Sequence, residues 1–207
     1  MMIEICEIFY SLQGESSYSG KPCIFIRLSG CNLRCSYCDT QYSYAPGTMM
    51  SIESILQTIS EFPARLVELT GGEPLWQEES IALMEALLQR DYTVLLETNG
   101  SLWIEDVPQA VVKILDVKTP GSGCGDSFMK WNLKQLSEQD ELKFVLTSHE
   151  DYRFALDFIK EHKLEGRIIH FSPVTSVLPA ETLAQWMLAD AAPARLSLQL
   201  HKILSLR

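Results

Sequence analysis

Short apolar segments alternate with segments of helical period along most of this chain. Residues 3–10, 23–28, 66–70, 93–97, 112–118, 142–146 and 167–171 are the apolar segments that predict β-strands. Between several of them, hydrophobic residues recur at the i, i+3, i+4 and i+7 spacing of an amphipathic helix. Strands that alternate with helices are typical of parallel βα units. We therefore predict an α/β fold built as a partial barrel or an open sheet.

Three amphipathic stripes predict helices that pack on this sheet. Their apolar residues are Ile52, Ile55, Leu56 and Ile59 in the first, Ile81, Met84, Leu87 and Leu88 in the second, and Tyr152, Ala155, Leu156 and Ile159 in the third. Ser51 and Ser148 precede the first and third stripes, where a hydroxyl can cap a helix N-terminus. In folds of this kind, ligand-binding residues gather at the carboxyl ends of the strands.

Composition and charge narrow the class of protein. The chain has 207 residues, of which 46% are hydrophobic and 21% charged, so we expect one globular domain over residues 1–207. No apolar run approaches the ~20 residues that span a bilayer, so no membrane association is expected. With 17 basic and 27 acidic residues, the formal charge is −10. Such a chain repels a phosphate backbone, and direct binding of nucleic acid is not expected.

Three cysteines, Cys31, Cys35 and Cys38, carry the most specific chemical signal. Three thiolates cannot complete the four-thiolate ligation of most iron–sulfur clusters, so a cubane held here leaves one iron open. A zinc site or a chance cluster is the alternative. Zinc sites usually add a fourth Cys or His at short spacing, and no histidine precedes His149. The remaining cysteines, Cys6, Cys23 and Cys124, are scattered and predict free thiols in a reducing cytoplasm.

The spacing C-x3-C-x2-C resembles the signature of the radical SAM superfamily, in which S-adenosylmethionine (SAM) chelates the open iron. The segment Gly71-Gly72-Glu73-Pro74 resembles the GGEP motif of the same superfamily. Two glycines at a strand end permit close approach of a ligand. The resemblance implies a [4Fe–4S] cluster on Cys31, Cys35 and Cys38, and a carboxylate of Glu73 that holds the SAM amine.

Polar residues that follow the ends of later strands extend the predicted SAM site. A plain turn or loop is the alternative for each of these segments. The complete set of predicted SAM contacts is Tyr37, Cys38, Asp39, Gly72, Glu73, Thr98, Asn99, Asp116, Val117, Lys118, Ser172, Pro173 and Val174.

Four further segments are similar to one family, 7-carboxy-7-deazaguanine synthase. They are Phe9-Tyr10-Ser11-Leu12-Gln13-Gly14-Glu15, Arg27, Cys38-Asp39-Thr40 and Gln199-Leu200-His201-Lys202. The similarity spans essentially the whole chain. It implies a SAM- and Mg²⁺-dependent conversion of 6-carboxytetrahydropterin to 7-carboxy-7-deazaguanine on a shortened partial (β/α) barrel. It also implies a homodimer. The cluster chemistry implies a flavodoxin or ferredoxin as reductant, and the scattered cysteines predict a cytoplasmic enzyme.

The resemblance assigns roles that elementary chemistry supports. Amide groups can pair with the donors and acceptors of a pterin edge, and an arginine can clamp a carboxylate with two parallel hydrogen bonds. The hydroxyl of Thr40 is a hard ligand for Mg²⁺. Glu15, Asp39 and Glu97 are unranked candidates for acid–base catalysis. The implied substrate contacts are Leu12, Gln13, Gly14, Glu15, Arg27, Thr70, His201 and Arg207.

Two other functions remain open at this point. A radical SAM activase that installs a glycyl radical on a partner protein shares the cysteine spacing, but it needs an open face instead of a pterin pocket. A non-catalytic iron–sulfur protein or zinc scaffold leaves the segments at 71–74 and 97–100 without a role. Cleavage of SAM separates this last class from the two enzymes, and turnover of the pterin separates the enzymes from each other.

Overall fold

All nine strands belong to one open sheet, in the computed structural model that describes residues 1–206. The predicted substrate contact Arg207 lies outside the described residues. The strand order is β3-β1-β2-β4-β5-β6-β7-β8-β9. The strands are β1 (Met2–Leu12), β2 (Pro22–Leu28), β3 (Thr48–Ser51), β4 (Leu66–Gly71), β5 (Thr93–Thr98), β6 (Val112–Asp116), β7 (Glu141–Leu146), β8 (Ile168–Pro173) and β9 (Arg195–Leu196).

Apart from β3, the strands from β2 to β9 pair in parallel. The alternation of strands and helices predicts this pairing. Strand β1 is different, because it pairs antiparallel with both β2 and β3. The prediction of parallel pairing is wrong here, since residues 13–21 are too few for a crossover connection and form a hairpin loop instead. Strands β3 and β9 were not predicted, because four and two residues are too short to show a period.

Helices cover the outer face of the sheet, and their caps agree with the sequence. They are α1 (Ile52–Ile59), α2 (Glu79–Leu88), α3 (His149–Glu161), α4 (Ala180–Ala189) and α5 (Leu200–Ile203). The side chains of Ser51 and Ser148 accept hydrogen bonds from the backbone N–H groups of Ser54 and Asp151, which confirms both predicted caps. The predicted stripes of α1 and α3 pack against the main core. In α2, Leu83 is fully buried whereas Ile81 only flanks the core. Within residues 1–206, none of the helices combines the length and apolar character required to cross a membrane.

The loop at residues 13–21 crosses the gap between the two ends of the open sheet. The backbone N–H of Ser17 donates to the carboxylate of Glu141 at the start of β7, and Arg195 of β9 donates to the hydroxyl of Ser17. Leu200 N–H donates to the carbonyl of Gly14 at 3.0 Å. A Cβ at Gly14 would lie 2.2 Å from Nδ1 of His201, so only glycine permits this contact. The loop after β1 thus contacts β7, β9 and the start of α5.

Candidate active site

One cavity of about 590 Å³ opens at the carboxyl ends of the parallel strands. The cysteine loop forms part of its wall, and polar residues from β4, β5, β6 and β7 form much of the rest. The predicted site residues that line it are Leu12, Gln13, Gly14, Glu15, Arg27, Cys31, Cys35, Tyr37, Cys38, Asp39, Thr40, Thr70, Gly72, Glu97, Thr98, Asn99, Asp116, Lys118, Pro173, Val174 and His201. The structure therefore brings most of the predicted site together.

The cysteine loop is half-buried and fastened to a neighbouring loop. Ser36 donates from its backbone N–H to the carbonyl of Ser122 and from its hydroxyl to the carbonyl of Gly121. Burial raises the pKa of Cys35 to about 12, and the nearby ammonium of Lys118 opposes that rise. Three sulfur donors on one loop suit an iron–sulfur cluster. Among residues 1–206, no three His, Cys, Asp or Glu side chains converge on one ion. A cubane needs no such convergence, because each cysteine binds a different iron.

The glycines after β4 are needed for packing against the cysteine loop. A Cβ at Gly72 would lie 1.9 Å from the carbonyl oxygen of Gly30 and 2.9 Å from Cβ of Cys31. Glu73 N–H donates to the same Gly30 carbonyl at 2.9 Å. The strand end and the cysteine loop are therefore held in close contact by backbone atoms alone.

Glu73 lies behind the cavity wall, with none of its surface exposed. Its carboxylate accepts hydrogen bonds from the hydroxyl of Thr98 at 2.8 Å, from Asn99 N–H at 2.7 Å and from Leu75 N–H at 3.0 Å. Burial raises its pKa, and these hydrogen bonds oppose the rise. The expected direct contact with the SAM amine does not match this geometry. Glu73 instead positions Thr98 and Asn99, which do line the cavity.

Val117 and Ser172 are the other two predicted SAM contacts that do not line the cavity. Val117 is fully buried in the main core, because alternate residues of an extended segment face opposite sides and Asp116 and Lys118 take the cavity side. Ser172 is 2% exposed within β8. The side chain of Val117 therefore faces the core, because strand-end position alone does not say which side a residue faces. Ser172 pairs with the cavity-lining Val145 and stays a predicted contact.

We expect Glu73→Gln to weaken SAM binding through Thr98 and Asn99. The amide cannot accept all three hydrogen bonds, since one of its two heteroatoms is a donor that would face a backbone N–H. Leaving a buried donor unsatisfied costs about 1–3 kcal/mol. Urea unfolding should show this loss, and titration calorimetry on the reconstituted protein should show a raised Kd for SAM with an unchanged cluster spectrum. An unchanged Kd for SAM would contradict the positioning role.

Asp116 offers an acceptor to a ligand in the cavity. Its Oδ2 pairs with Nζ of Lys118 at 2.6 Å. Its Oδ1 is buried and has no hydrogen-bond donor among residues 1–206. Because buried polar atoms are nearly always satisfied, this oxygen suits a donor carried by a ligand, such as a ribose hydroxyl of SAM. The residues present at this wall therefore fit the predicted cofactor.

Lys143 of β7 is the centre of a buried charge cluster that the sequence did not predict. Its Nζ lies 2.6 Å from Oε2 of Glu15 and 2.5 Å from Oε1 of Glu97. Burial lowers the pKa of Lys143, but the two carboxylates more than offset this and raise it well above the ordinary value. For Glu15, burial raises the pKa, and the charge of Lys143 with a hydrogen bond from Gln199 brings it below the usual value. Lys143 and Glu15 are therefore both ionised.

Glu68 of β4 is a second buried carboxyl in the cavity wall, 4% exposed. Gln13 donates a hydrogen bond from Nε2 to it. Burial, together with the charges of Glu97 and Glu15, raises the pKa of Glu68 well above the usual value. The Oε1 of Gln13 accepts from Glu15 N–H at 3.1 Å. Both the nitrogen and the oxygen of the Gln13 amide thus hold the loop in place, in addition to any contact with a substrate.

Arg27 projects from β2 into the cavity beside an ion-pair partner. Its Nε lies 2.9 Å from Oε1 of Glu7, which also accepts from the hydroxyl of Tyr42. The guanidinium carries two further nitrogens in the fork geometry that matches a carboxylate. This is the arrangement expected of an arginine that binds an acidic substrate.

Asp39 and Thr40 place two hard oxygen donors side by side at the cavity. The Thr40 hydroxyl donates to Oδ1 of Asp39 at 3.0 Å, and Nζ of Lys202 lies 2.5 Å from Oδ2. Burial raises the pKa of Asp39, but the hydrogen bonds from Lys202 and Thr40 outweigh it, so the pKa falls to about 2. His201 is half-buried against Gly14, and burial lowers its pKa. The C-terminal segment therefore contributes to the same site.

Comparison with known proteins places these features in a family. The Radical SAM superfamily matches residues 25–117. The 7-carboxy-7-deazaguanine synthase of Koribacter versatilis is 45% identical over 98% of this chain and 96% of its own length. The synthase of Chlorobaculum tepidum is 45% identical over 97% of this chain and 93% of its own length. The synthase of Methanospirillum hungatei is 39% identical over 99% of this chain and 86% of its own length.

Solved structures confirm the fold. The crystal structure of QueE from Escherichia coli has a TM-score of 0.80 at 24% identity and covers 96% of this chain and 94% of that one. The structure of Streptococcus suis SuiB bound to S-adenosylmethionine has a TM-score of 0.54 at 15% identity, and the match covers 81% of this chain and 44% of the SuiB chain. The predicted partial barrel, and the predicted cluster and SAM cofactors of the superfamily, are confirmed. The chain belongs to the 7-carboxy-7-deazaguanine synthase family within the radical SAM superfamily.

Proposed function

We propose that this protein converts 6-carboxytetrahydropterin to 7-carboxy-7-deazaguanine with loss of ammonia. One observation carries the proposal: a single cavity joins a loop of three cysteines to a wall of buried carboxyls, a lysine and an arginine. Curated relatives that carry the name of this synthase are up to 45% identical over nearly the whole chain. An electron carrier or zinc scaffold would not need the wall of buried carboxyls, lysine and arginine in this cavity.

Cys31, Cys35 and Cys38 would hold the [4Fe–4S] cluster, and the wall formed by Gly72, Asn99 and Asp116 would hold SAM beside it. When bound, the cluster and SAM would supply the one-electron, radical chemistry that the reaction needs. Thr98 and Asn99 are oriented by Glu73, and Lys118 forms an ion pair with Asp116 at the same wall. These residues would orient the cofactor, and none of them is assigned a part in proton transfer.

The opposite half of the cavity suits the pterin. Arg27 would bind the substrate carboxylate, and residues 12–15, Thr70 and His201 would surround the heterocycle. Glu15 is ionised beside Lys143 and is therefore suited to accept a proton or hydrogen bond, not to donate one. The raised pKa of Glu68 suits it to donate a proton. The lowered pKa of Asp39 places Asp39 with Glu15 on the accepting side.

We also propose that Mg²⁺ binds at Thr40, completed by substrate oxygens and water. The Thr40 hydroxyl is a weak neutral ligand, and Lys202 already neutralises Asp39, so the metal must rely on the substrate carboxylate. Thr40→Val keeps the shape and removes the oxygen. We expect it to lower turnover and to flatten the Mg²⁺ response while SAM binding stays normal. Turnover measured against Mg²⁺ concentration for both proteins is the check, and superimposable curves would remove Thr40 from the metal site.

The test of the function uses anaerobically reconstituted protein with dithionite, SAM, Mg²⁺ and 6-carboxytetrahydropterin. Mass spectrometry should show 7-carboxy-7-deazaguanine, and an ammonia assay should show one equivalent released. SAM cleavage without conversion of the pterin would instead favour an activase that acts on a partner protein.

The remaining assignments complete the proposal. The physiological reductant is a flavodoxin or ferredoxin, since the cluster needs a low-potential electron. All six cysteines are free thiols, which supports the proposed location in the reducing cytoplasm. A homodimer remains a prediction from the family resemblance, and size-exclusion chromatography with light scattering measures it. A single domain over residues 1–207 remains a prediction from length and composition.

A further inference from the structure

Tryptophans are concentrated on the surface of this protein beside the cysteine loop. Trp76, Trp103 and Trp131 are 57%, 53% and 47% exposed. The rings of Trp103 and Trp131 meet edge to face with centroids 6.4 Å apart. Contiguous exposed apolar surface marks interaction sites, and tryptophan is the residue most enriched at the energetic centre of protein interfaces.

Lysines border this aromatic surface. The ammonium of Lys134 lies 3.9 Å from the centroid of the Trp131 ring. Lys130 belongs to the same 3₁₀ turn and makes a loose, exposed pair with Glu161 at 3.5 Å. Two acidic residues, Glu105 and Asp106, follow Trp103 along the chain, so the positive end of the surface is the turn at Lys130–Lys134. We call Trp103, Trp131, Lys130 and Lys134 the aromatic–lysine patch.

A hydrogen-bonded path connects the patch to the first cluster cysteine. The Asn132 amide donates to the carbonyls of Gly100 and Leu102, which fixes the turn of the patch against the segment that leaves β5. In that segment, the Ser101 hydroxyl accepts from Nδ2 of Asn32 at 2.7 Å. Asn32 directly follows Cys31 in the chain.

A third exposed indole, Trp76, packs beside the residue that precedes Cys31. A Cβ built at Gly30 would lie 3.4 Å from its ring. Only Ser101, Asn32 and one hydrogen bond therefore separate the Leu102–Trp103 backbone from a residue expected to bind the cluster. Electron transfer into a half-buried cluster needs a partner that docks on such a short path.

We infer that the aromatic–lysine patch is the docking surface for an acidic, low-potential, one-electron carrier protein that reduces the cluster. The inference rests on the proposed function, because it presumes a cluster at Cys31. In the step, the carrier loses one electron and the cluster gains it, with no bond made or broken. The lysines complement a negative partner and steer its approach, while the indoles provide the apolar contact that orients it.

The decisive comparison is turnover with two reductants, a reduced bacterial flavodoxin and dithionite, for the same reconstituted enzyme. Lys134→Glu reverses a charge at the patch and should raise the KM for flavodoxin about tenfold, with a weaker dependence on salt concentration. Trp131→Ala removes an exposed ring and should raise it by a similar factor. Dithionite is small and needs no docking surface, so dithionite-driven turnover should stay unchanged in both variants.

Matched controls separate docking from general effects. Arg65→Glu reverses the charge of a cation that lies over Tyr92 in the same way that Lys134 lies over Trp131, but before β4 and away from the patch. Leu188→Ala removes an exposed apolar side chain of α4, which is 82% exposed. Both should keep the wild-type KM for flavodoxin. Titration calorimetry with oxidised flavodoxin should show weaker binding only for the two patch variants.

Three results would overturn the inference. The first is an unchanged KM for flavodoxin in both patch variants. The second is an equal fall in dithionite-driven turnover, which would indicate damage to the cysteine loop. The third is a changed oligomeric state of the patch variants, which would make the patch an interface between two copies of this chain. Failure of the proposed function is distinguishable, because it would show as wild-type protein that makes no product with dithionite.

Discussion

Anaerobic reconstitution of Cys31→Ala, Cys35→Ala or Cys38→Ala protein is expected to give no normal iron–sulfur absorbance and no turnover. Each cysteine lies on one half-buried loop at the cavity, and each is expected to bind a different iron of the cubane. A site with only two thiolates cannot hold the cubane in place. Visible absorbance measures the cluster directly, as does the content of iron and sulfide, and neither measurement depends on activity.

Cys124 provides the sharpest control for this experiment. Its thiol is close enough to that of Cys35 to help raise the Cys35 pKa, so it is the cysteine outside the loop that a cluster could most easily recruit. Cys124→Ala should retain the cluster, as should Cys23→Ala, whose thiol is fully buried in the sheet. A cluster lost from Cys124→Ala, or kept in one of the three loop variants, would reassign the ligands.

The motifs at strand ends could be located from the sequence because chain connectivity fixes them. A parallel sheet brings the carboxyl ends of its strands to one edge, so Cys31, Gly72 and Asn99 had to meet once the strands were identified. The side of the sheet toward which each side chain points could not be predicted in the same way. Glu73 was expected in the cavity, but the three donors that surround its carboxylate turn it behind the wall.

The charge cluster was missed although the sequence carries a signal for it. Glu68 and Lys143 are ionisable residues inside the mostly apolar strands β4 and β7. In a parallel sheet covered on its outer face, such residues must face the interior of the barrel and must find partners there. Which partner each one finds depends on the loop at residues 13–21, whose path across the open sheet no local pattern predicts. Glu15 reaches Lys143 only because of that path.

Lys143→Met is expected to destabilise the fold and to stop pterin turnover. The ammonium neutralises Glu15 and Glu97 at 2.6 and 2.5 Å in a buried wall, and methionine fills the space without the charge. Removing one partner of a buried ion pair costs about 3–5 kcal/mol, because the carboxylates are left without compensation. The carboxylates would then take up protons or move apart, and displacement of substrate-positioning groups by an ångström can cost about 100-fold in rate. Urea unfolding and dithionite-driven turnover are the measurements.

Lys113→Met is the matched control, since Lys113 is equally buried and pairs with Asp140 at 3.2 Å outside the cavity. It should lose comparable stability but keep the kcat of the folded fraction, which isolates the effect of position from the effect of a lost buried charge. Adding Glu15→Gln to Lys143→Met should recover part of the stability, because one uncompensated carboxylate is removed, while turnover stays low. If Lys143→Met and Lys113→Met lose the same fraction of kcat, the charge cluster stabilises the barrel and has no particular role in the reaction.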